Sequence, residues 1–300
     1  MSGGSGGSGG AASVSGVGGA VSGQPGGSPA SMSGGAPSSQ GGAPSSQGGG
    51  ALGVGGQTMA QAGSGGNVQA PNLPKNVLIY TYPPTGEVPN LAEQVSILNA
   101  QLQAWGFAVE ASQDPAMFTD VNLGRFGGVA LINTCGELFG VGNPGTAEAA
   151  ALKKFVQAGG GLFATHCASV TFTGAPASDP APYNKLLGGR GGDGYFGGES
   201  TCTKLSDHPT NAALPATFSY TGDTDNTDYL APDTVVVVRC KWSGNGEKEV
   251  AASWYRTEGL GRIFFTTFAK TDTDLKNAML RDQHLFPALS WVLYRSPIQQ

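Results

Sequence analysis

Asn76-Val77-Leu78-Ile79-Tyr80 is an apolar, β-prone run bounded by Pro74 and Pro83, a pattern that predicts a first buried strand. A loop with three prolines follows, Thr81 to Pro89. Leu91, Val95, Leu98, Leu102 and Trp105 then recur at helical spacing, with Asn90 as the expected cap and Gly106 as the end. Phe107, Val109 and Ala111 alternate with polar or small residues, as a second strand does, and Gly128 to Asn133 reads as a third. Thr146 to Ala158 returns to helical spacing, with Leu152, Phe155 and Val156 as its buried face. Its close on Gly159 and Gly160 suits a left-handed helix end. Leu162 to Thr165 is short and uncharged, as a strand buried on both faces of a parallel sheet is. The succession β-α-β-loop-β-α-β predicts an α/β fold with a doubly wound, mostly parallel sheet.

After Thr165 the pattern changes. Pro182 to Leu187 reads as a short helix, and Gly188 to Gly198 as a glycine-rich loop. Ser200–Leu205, Thr217–Tyr220, Thr234–Cys240, Val250–Tyr255 and Arg262–Phe268 are strand-like, separated by Gly, Pro, Asn and Asp. Gly244-Asn245-Gly246 and Glu258-Gly259-Leu260-Gly261 are turns. These strands are expected to extend the sheet with antiparallel pairs. Asn277 to Tyr294 supplies a last helix, in which Pro287 starts the regular part or kinks it.

Composition changes the picture of the first quarter of the chain. Met1 to Pro74 holds no charged and no aromatic residue, and repeats Gly-Gly-Ala-Pro-Ser-Ser-Gln at Gly34–Gln40 and Gly41–Gln47. Such a segment buries too little apolar surface to offset its ordering entropy, so residues 1–74 are expected to be a disordered tether ahead of one α/β domain, 75–300. The whole-chain charge of −5 therefore belongs to the domain. No Lys/Arg run is present, so nucleic acid is not expected as a partner. No run is long enough to cross a membrane, and no apolar signal region precedes the tether. Taken as it stands, that reads as cytoplasmic. Uncharged Gly/Ser tethers also follow the lipid-bearing cysteine of bacterial surface lipoproteins, which makes an exported, lipid-anchored protein the other expectation. The four cysteines fit either compartment. Cys202 and Cys240 fall on two predicted strands and are placed to pair; Cys135 and Cys167 both fall just past predicted strand ends, and free buried thiols are the alternative for all four.

The candidate chemistry centres on His166 and Cys167, side by side at the end of the strand Leu162–Thr165. In open α/β sheets ligands collect beyond the carboxyl ends of the strands. Thr134 to Glu137 ends the preceding strand, and Asp207-His208-Pro209 carries another imidazole. His166, Cys167, His208 and Glu137 are accordingly the candidate catalytic residues. Cys167 would be a nucleophile and His208 its base, with Glu137 or Asp207 as the orienting carboxylate. Adjacent side chains on a turn usually diverge, so His166 and Cys167 do not form a dyad by adjacency alone. No His-x-x-His or Cys-x-x-Cys spacing points to zinc, and the glycine-rich loop lacks the strand-loop-helix context of a phosphate cradle. No metal or cofactor is therefore expected. His284 reads as an ordinary helix residue, and Trp242, Trp254, Tyr195 and Tyr82 as either a sugar-facing wall or core and rim.

Several stretches carry a family resemblance. They are Phe155-Val156-Gln157-Ala158-Gly159-Gly160-Gly161-Leu162-Phe163-Ala164-Thr165-His166, Tyr183-Asn184-Lys185-Leu186-Leu187-Gly188-Gly189-Arg190, Asp207-His208-Pro209-Thr210, and Val250-Ala251-Ala252-Ser253-Trp254 followed by Gly259 to Thr267. From Lys75 onward the chain resembles the ThuA-like branch of the class I glutamine amidotransferase-like superfamily. The resemblance implies a flavodoxin-like fold, with His166 where amidotransferases carry a catalytic cysteine. It also implies a link to trehalose utilisation and a sugar-related small-molecule ligand. Two departures stand out. The loop Arg190–Gly198 has no histidine, and the acidic-tyrosine motif is represented by Asp225-Asn226-Thr227-Asp228-Tyr229. Three functions stay open: an enzyme acting on a sugar-related molecule at His166, a non-catalytic surface-tethered binding module, and a cysteine-dependent hydrolase or amidase using Cys167.

Overall fold

Val77 and Ile79 pack on one side of the first strand and Leu78 and Tyr80 on the other, and all four are fully buried. That double burial is why the strand reads as a continuous apolar run. The computed structural model describes residues 72–82, 88, 90–140, 142–242, 244 and 248–294. All but the last three residues of the expected tether, most of the Thr81–Pro89 loop and the Asn245-Gly246 turn lie outside the described residues. What is described belongs to one unit of the chain, Ser64–Gln300.

The strands are β1 (Asn76–Tyr80), β2 (Ala108–Ser112), β3 (Gly128–Ile132), β4 (Gly161–Thr165), β5 (Gly189–Lys204), β6 (Thr217–Leu230), β7 (Val235–Trp242), β8 (Glu249–Glu258) and β9 (Gly261–Thr266). They form one sheet in the order β2-β1-β3-β4-β9-β8-β7-β5-β6. The ladders from β2 to β9 are parallel. Those from β9 to β6 are antiparallel. Helices α1 (Leu91–Ala104), α5 (Asp272–Lys276), α6 (Ala278–Leu280) and α7 (Phe286–Val292) bury Leu98, Leu102, Leu275, Leu280 and Leu289 against one face. Helices α2 (Asp120–Leu123), α3 (Thr146–Gln157) and α4 (Pro182–Leu187) bury Leu123, Leu152, Val156 and Leu187 against the other.

The glycines after α3 do two jobs. Gly159 takes φ 112, and the bonds Gly160 N→Phe155 O (3.0 Å) and Gly159 N→Val156 O (2.8 Å) close the helix in the Schellman pattern. A Cβ on Gly161 would lie 2.2 Å from the carbonyl oxygen of Val292, so only glycine lets α7 approach β4 this closely.

The structure departs from the sequence expectations in several places. The segment Gly188–Gly198 is mostly strand, not loop: β5 starts at Gly189 and pairs with β6 along its length, with register shifts around Gly191. Side-chain propensity misses this because the ladder is built from backbone groups, which glycine supplies as well as any residue. Asn90 does not cap α1 through its side chain; it takes φ 61 and donates Nδ2–H to Asp272 Oδ1 at 2.9 Å, tying α1 to α5. The last helix is interrupted by a π-turn at Arg281–Leu285, immediately before α7, where Pro287 lies in the first turn. Cys202 and Cys240 are register partners on β5 and β7 and form a disulfide. Cys135 and Cys167 form a second, with Cα atoms 4.5 Å apart. Neither pair is present as free thiols.

Candidate functional site

Past the ends of three neighbouring parallel strands, β3, β4 and β9, lie non-glycine residues with left-handed backbone: Asn133 (φ 51) and His166 (φ 47) directly after β3 and β4, and Ala269 (φ 71) in the segment after β9. Such conformations carry strain and persist where surrounding contacts over-determine them. Those contacts are visible. Asn133, fully buried, donates Nδ2–H to Gln94 Oε1 (2.7 Å) and lies within reach of the Ala269 (3.0 Å) and Lys270 (3.2 Å) carbonyls. Gln94 in turn donates to Lys270 O at 2.9 Å. The turn after β4 is held from the other side. Tyr183 donates its hydroxyl to Ala168 O (2.9 Å), Thr171 to Thr134 O (3.1 Å), and Asn184 to Thr171 O (2.9 Å).

His166 begins that turn and is 5% exposed. Burial, aided by the Lys270 ammonium, pushes its pKa down to about 3, so the imidazole is neutral at physiological pH. Its Nδ1 lies 2.9 Å from Cys167 Sγ. A disulfide sulfur has no proton to give, so this contact is attractive with the proton on Nδ1, which leaves the Nε2 lone pair available. The left-handed φ of His166 is what brings two adjacent side chains together, against the usual divergence on a turn.

Strand β6 contributes a carboxyl that the sequence reading did not select. Asp225 is 7% exposed and accepts a hydrogen bond from Ser169 Oγ at 3.1 Å. Burial pushes its pKa up to about 6, with the Ser169 bond pulling against it. Asp225 N also donates to Thr267 Oγ1 at 3.4 Å, just past β9. Gly191 makes the approach possible, because a Cβ there would lie 2.9 Å from Asp225 Cβ and 3.1 Å from Ser169 Oγ. Lys270 pairs with Asp223 at the same edge. The hydroxyls of Thr134 and Thr224 and the amide oxygen of Asn133 are buried without a hydrogen-bond partner, so the neighbourhood keeps unused polar capacity. The signal for Asp225 was the loose acidic-tyrosine motif; its role needs the β6 crossing, which no local pattern reveals.

The other candidates make different contacts. Glu137 is exposed and accepts a hydrogen bond from Gly142 N, closing its own loop. His208 stacks on Tyr255, ring centroids 4.0 Å apart, and meets Trp291 edge-on at 4.9 Å. Burial and nearby Arg262 push its pKa down to about 4. It belongs to the helix-covered face beside α7, so the expected meeting of His208 with His166 is not what the structure has. His284, read as an ordinary helix residue, is fully buried. Its Nε2 lies 2.9 Å from Ser253 Oγ and its Nδ1 3.1 Å from Thr210 O. The aromatic wall also dissolves. Trp254 is core, stacked on Phe265 at 4.1 Å, while Trp242 packs against Phe196. Tyr195's side chain lies outside the described residues. Two motif pieces that carried the resemblance pair with each other: Arg190, 3% exposed, grips Asp228 through Nε (3.0 Å) and Nη2 (2.7 Å).

A cleft of about 220 Å³ opens at the opposite, amino edge of the parallel strands, lined by Pro74, Leu123, Phe126, Phe155 and Gly160 among others. Its charged residues, Asp120 and Lys154, pair with each other, and it holds no histidine or cysteine. The histidine, cysteine and buried carboxyl side chains described above gather instead at the carboxyl edge.

The fold and the cluster together define an α/β protein with its polar site at the ends of the parallel strands. The chain belongs to the ThuA family, trehalose utilisation, whose model matches residues 76–292. Among solved structures it is similar to a ThuA-like protein from Bacteroides uniformis, at 17% identity over 76% of this chain and 95% of that one, with a TM-score of 0.58. A ThuA-like protein from Parabacteroides merdae is similar at 16% identity over 76% and 92%, with a TM-score of 0.55. At these identities the likeness concerns the fold alone. No curated protein matches the chain.

Proposed function

We propose that this chain binds and acts on a sugar-related small molecule at the carboxyl edge of its parallel strands, with His166 as a ligand-contacting group and Asp225 as the proton-handling group. The observation that carries the reading is the strained, neutral His166 at the end of β4, with the Asp225–Ser169 pair packed onto the same turn. The neutral imidazole offers Nε2 as a hydrogen-bond acceptor to a ligand hydroxyl, and a carboxyl with its pKa near 6 gives or takes a proton close to neutral pH. With Cys167 bonded to Cys135 there is no thiolate to act as nucleophile, which disfavours the cysteine-hydrolase reading in this state.

The strand order β2-β1-β3-β4-β9 supports a flavodoxin-like, amidotransferase-related assignment for the parallel half. The two disulfides support export to an oxidising compartment, which would suit a lipid-anchored surface protein.

The test is calorimetric titration with a panel of mono- and disaccharides that includes trehalose, followed by magnetic resonance for conversion of any sugar that binds. Saturable binding weakened at least about tenfold in His166→Ala, at unchanged melting temperature, is the expected result. Conversion lost in Asp225→Asn would identify the acid. Binding without conversion favours a non-catalytic module, and failure of every sugar to bind overturns the reading.

A further inference from the structure

We infer that the Cys135–Cys167 disulfide masks a Cys2His site for a soft or borderline divalent cation, and that its reduction opens that site. Cys135 Sγ, Cys167 Sγ and a ring nitrogen of His166 lie within 4.8 Å of one another. They reach one point from two strand ends. Cys135 follows β3 by three residues, and His166-Cys167 follows β4 directly. The parallel ladder between β3 and β4, from Gly128↔Gly161 to Ile132↔Thr165, fixes that proximity whether or not the sulfurs are bonded. Breaking the bond therefore leaves two thiols facing each other across Cα atoms 4.5 Å apart. Tetrahedral zinc, with Zn–S near 2.3 Å, asks for sulfurs about 3.8 Å apart. Rotation about the two Cα–Cβ bonds supplies that opening without moving the strands.

The donor set decides the class of ion. Two thiolates and an imidazole select zinc-like or softer cations over magnesium or calcium, whose ligands are oxygens. Three protein ligands leave a fourth position for water or another ligand, the arrangement of an open zinc site. Spacing rules missed the set because two of its ligands are adjacent and converge only through the left-handed backbone at His166.

Exposure marks this pair as the one that opens. Cys135 and Cys167 are both half-buried, whereas Cys202 and Cys240 are 0% and 1% exposed within the antiparallel sheet. A dithiol reductant breaks the Cys135–Cys167 bond by exchange: its two thiols become a disulfide, and their two hydrogens pass to Cys135 and Cys167. Cation binding then releases both thiol protons. In an oxidising setting the bond shuts the site, and where thiol reductants reach it the site opens. The inference does not require His166 to act on any substrate.

The experiment uses the full chain, treated without oxygen with a water-soluble trialkylphosphine. Water supplies the oxygen of the phosphine oxide and the two protons of the thiols. The phosphine is removed, and Co2+ and then Zn2+ are titrated. Alkylation and peptide mapping are expected to find Cys135 and Cys167 as the new thiols. The reduced chain is expected to bind one cobalt, with a thiolate-to-cobalt charge-transfer band that zinc abolishes, and the oxidised chain none. Cys135→Ser and His166→Ala are each expected to weaken cobalt binding at least about tenfold in the reduced state. His166→Ala keeps both cysteines, so it reads ligation even where Cys135→Ser folds poorly. Equal binding by oxidised and reduced protein, full affinity in His166→Ala, or thiols appearing first at Cys202 and Cys240 would each overturn the inference. Failure of any thiol to appear overturns it too, since the bond is then purely structural.

Discussion

Ser169 Oγ donates to Asp225 Oδ2 at 3.1 Å, joining the turn after β4 to a strand reached 56 residues later. The bond solvates a carboxyl that is otherwise shut away from water, and burial still dominates, raising its pKa to about 6. Protonated Asp225 therefore favours the fold. Its contribution is complete below the ordinary value of 3.8 and is lost as pH rises through about 6. In denaturant melts at pH 4, 5.5 and 7.5, the wild type should lose roughly 2–2.5 kcal/mol relative to Asp225→Asn across that range. A difference that stays flat with pH would mean that the carboxyl titrates as if in water.

His284 predicts the opposite slope. The Thr210 carbonyl can only accept, so Nδ1 carries the proton and Nε2 accepts from the hydroxyls of Ser253 (2.9 Å) and Thr266 (3.3 Å). Burial lowers its pKa to about 4. The stabilisation is present above the ordinary 6.5 and is lost as pH falls through 4, worth roughly 3 kcal/mol if the group titrates alone. His208 adds in the same direction. His284→Phe should cost about 1–3 kcal/mol at neutral pH, because Thr210 O loses its buried donor, and should flatten the acid limb of the stability curve. An unchanged acid limb would assign it to other groups.

Gly161 sits where β4 and α7 touch. A Cβ there would lie 2.2 Å from Val292 O and 2.8 Å from its carbonyl carbon, neither of which is the end of a flexible side chain. Gly161→Ala should therefore destabilise by about 1–3 kcal/mol. Gly174→Ala, with nothing within 4 Å of its Cβ, should stay within about 0.5 kcal/mol. Urea melts of both variants decide it. Equal stabilities would mean that α7 can retreat from the sheet.

Arg190 and Asp228 form a bidentate pair whose cation is 3% exposed and whose carboxylate is 30% exposed. Asp228→Ala takes a bidentate charged contact from a guanidinium that is almost fully buried, so it should cost about 1–3 kcal/mol. Arg190→Met, which removes the charge along with its partner's need, should restore part of that loss in the double variant. A thermal melt series on the two single variants and the double checks it, and strictly additive losses would show that the pair is not coupled.

Sequence alone determined the parallel half of this protein. Strands buried on both faces must be apolar throughout, and helices on the sheet must repeat near every third or fourth residue. Asn76–Tyr80, Leu91–Trp105 and Leu162–Thr165 therefore announce themselves locally. That His166 and Cys167 stand just past the carboxyl end of β4 was equally legible, because the strand ends where its apolar run ends. Tertiary structure decided which groups meet there. Asp225 arrives through a long antiparallel excursion whose glycines carry no side-chain signal, and His208 is drawn away to stack on Tyr255. Cys135 joins Cys167 only because β3 and β4 are neighbours. Local pattern reflects burial and backbone geometry within one element. The composition of a site depends on which distant elements the ladder order makes adjacent, and that is a property of the whole sheet.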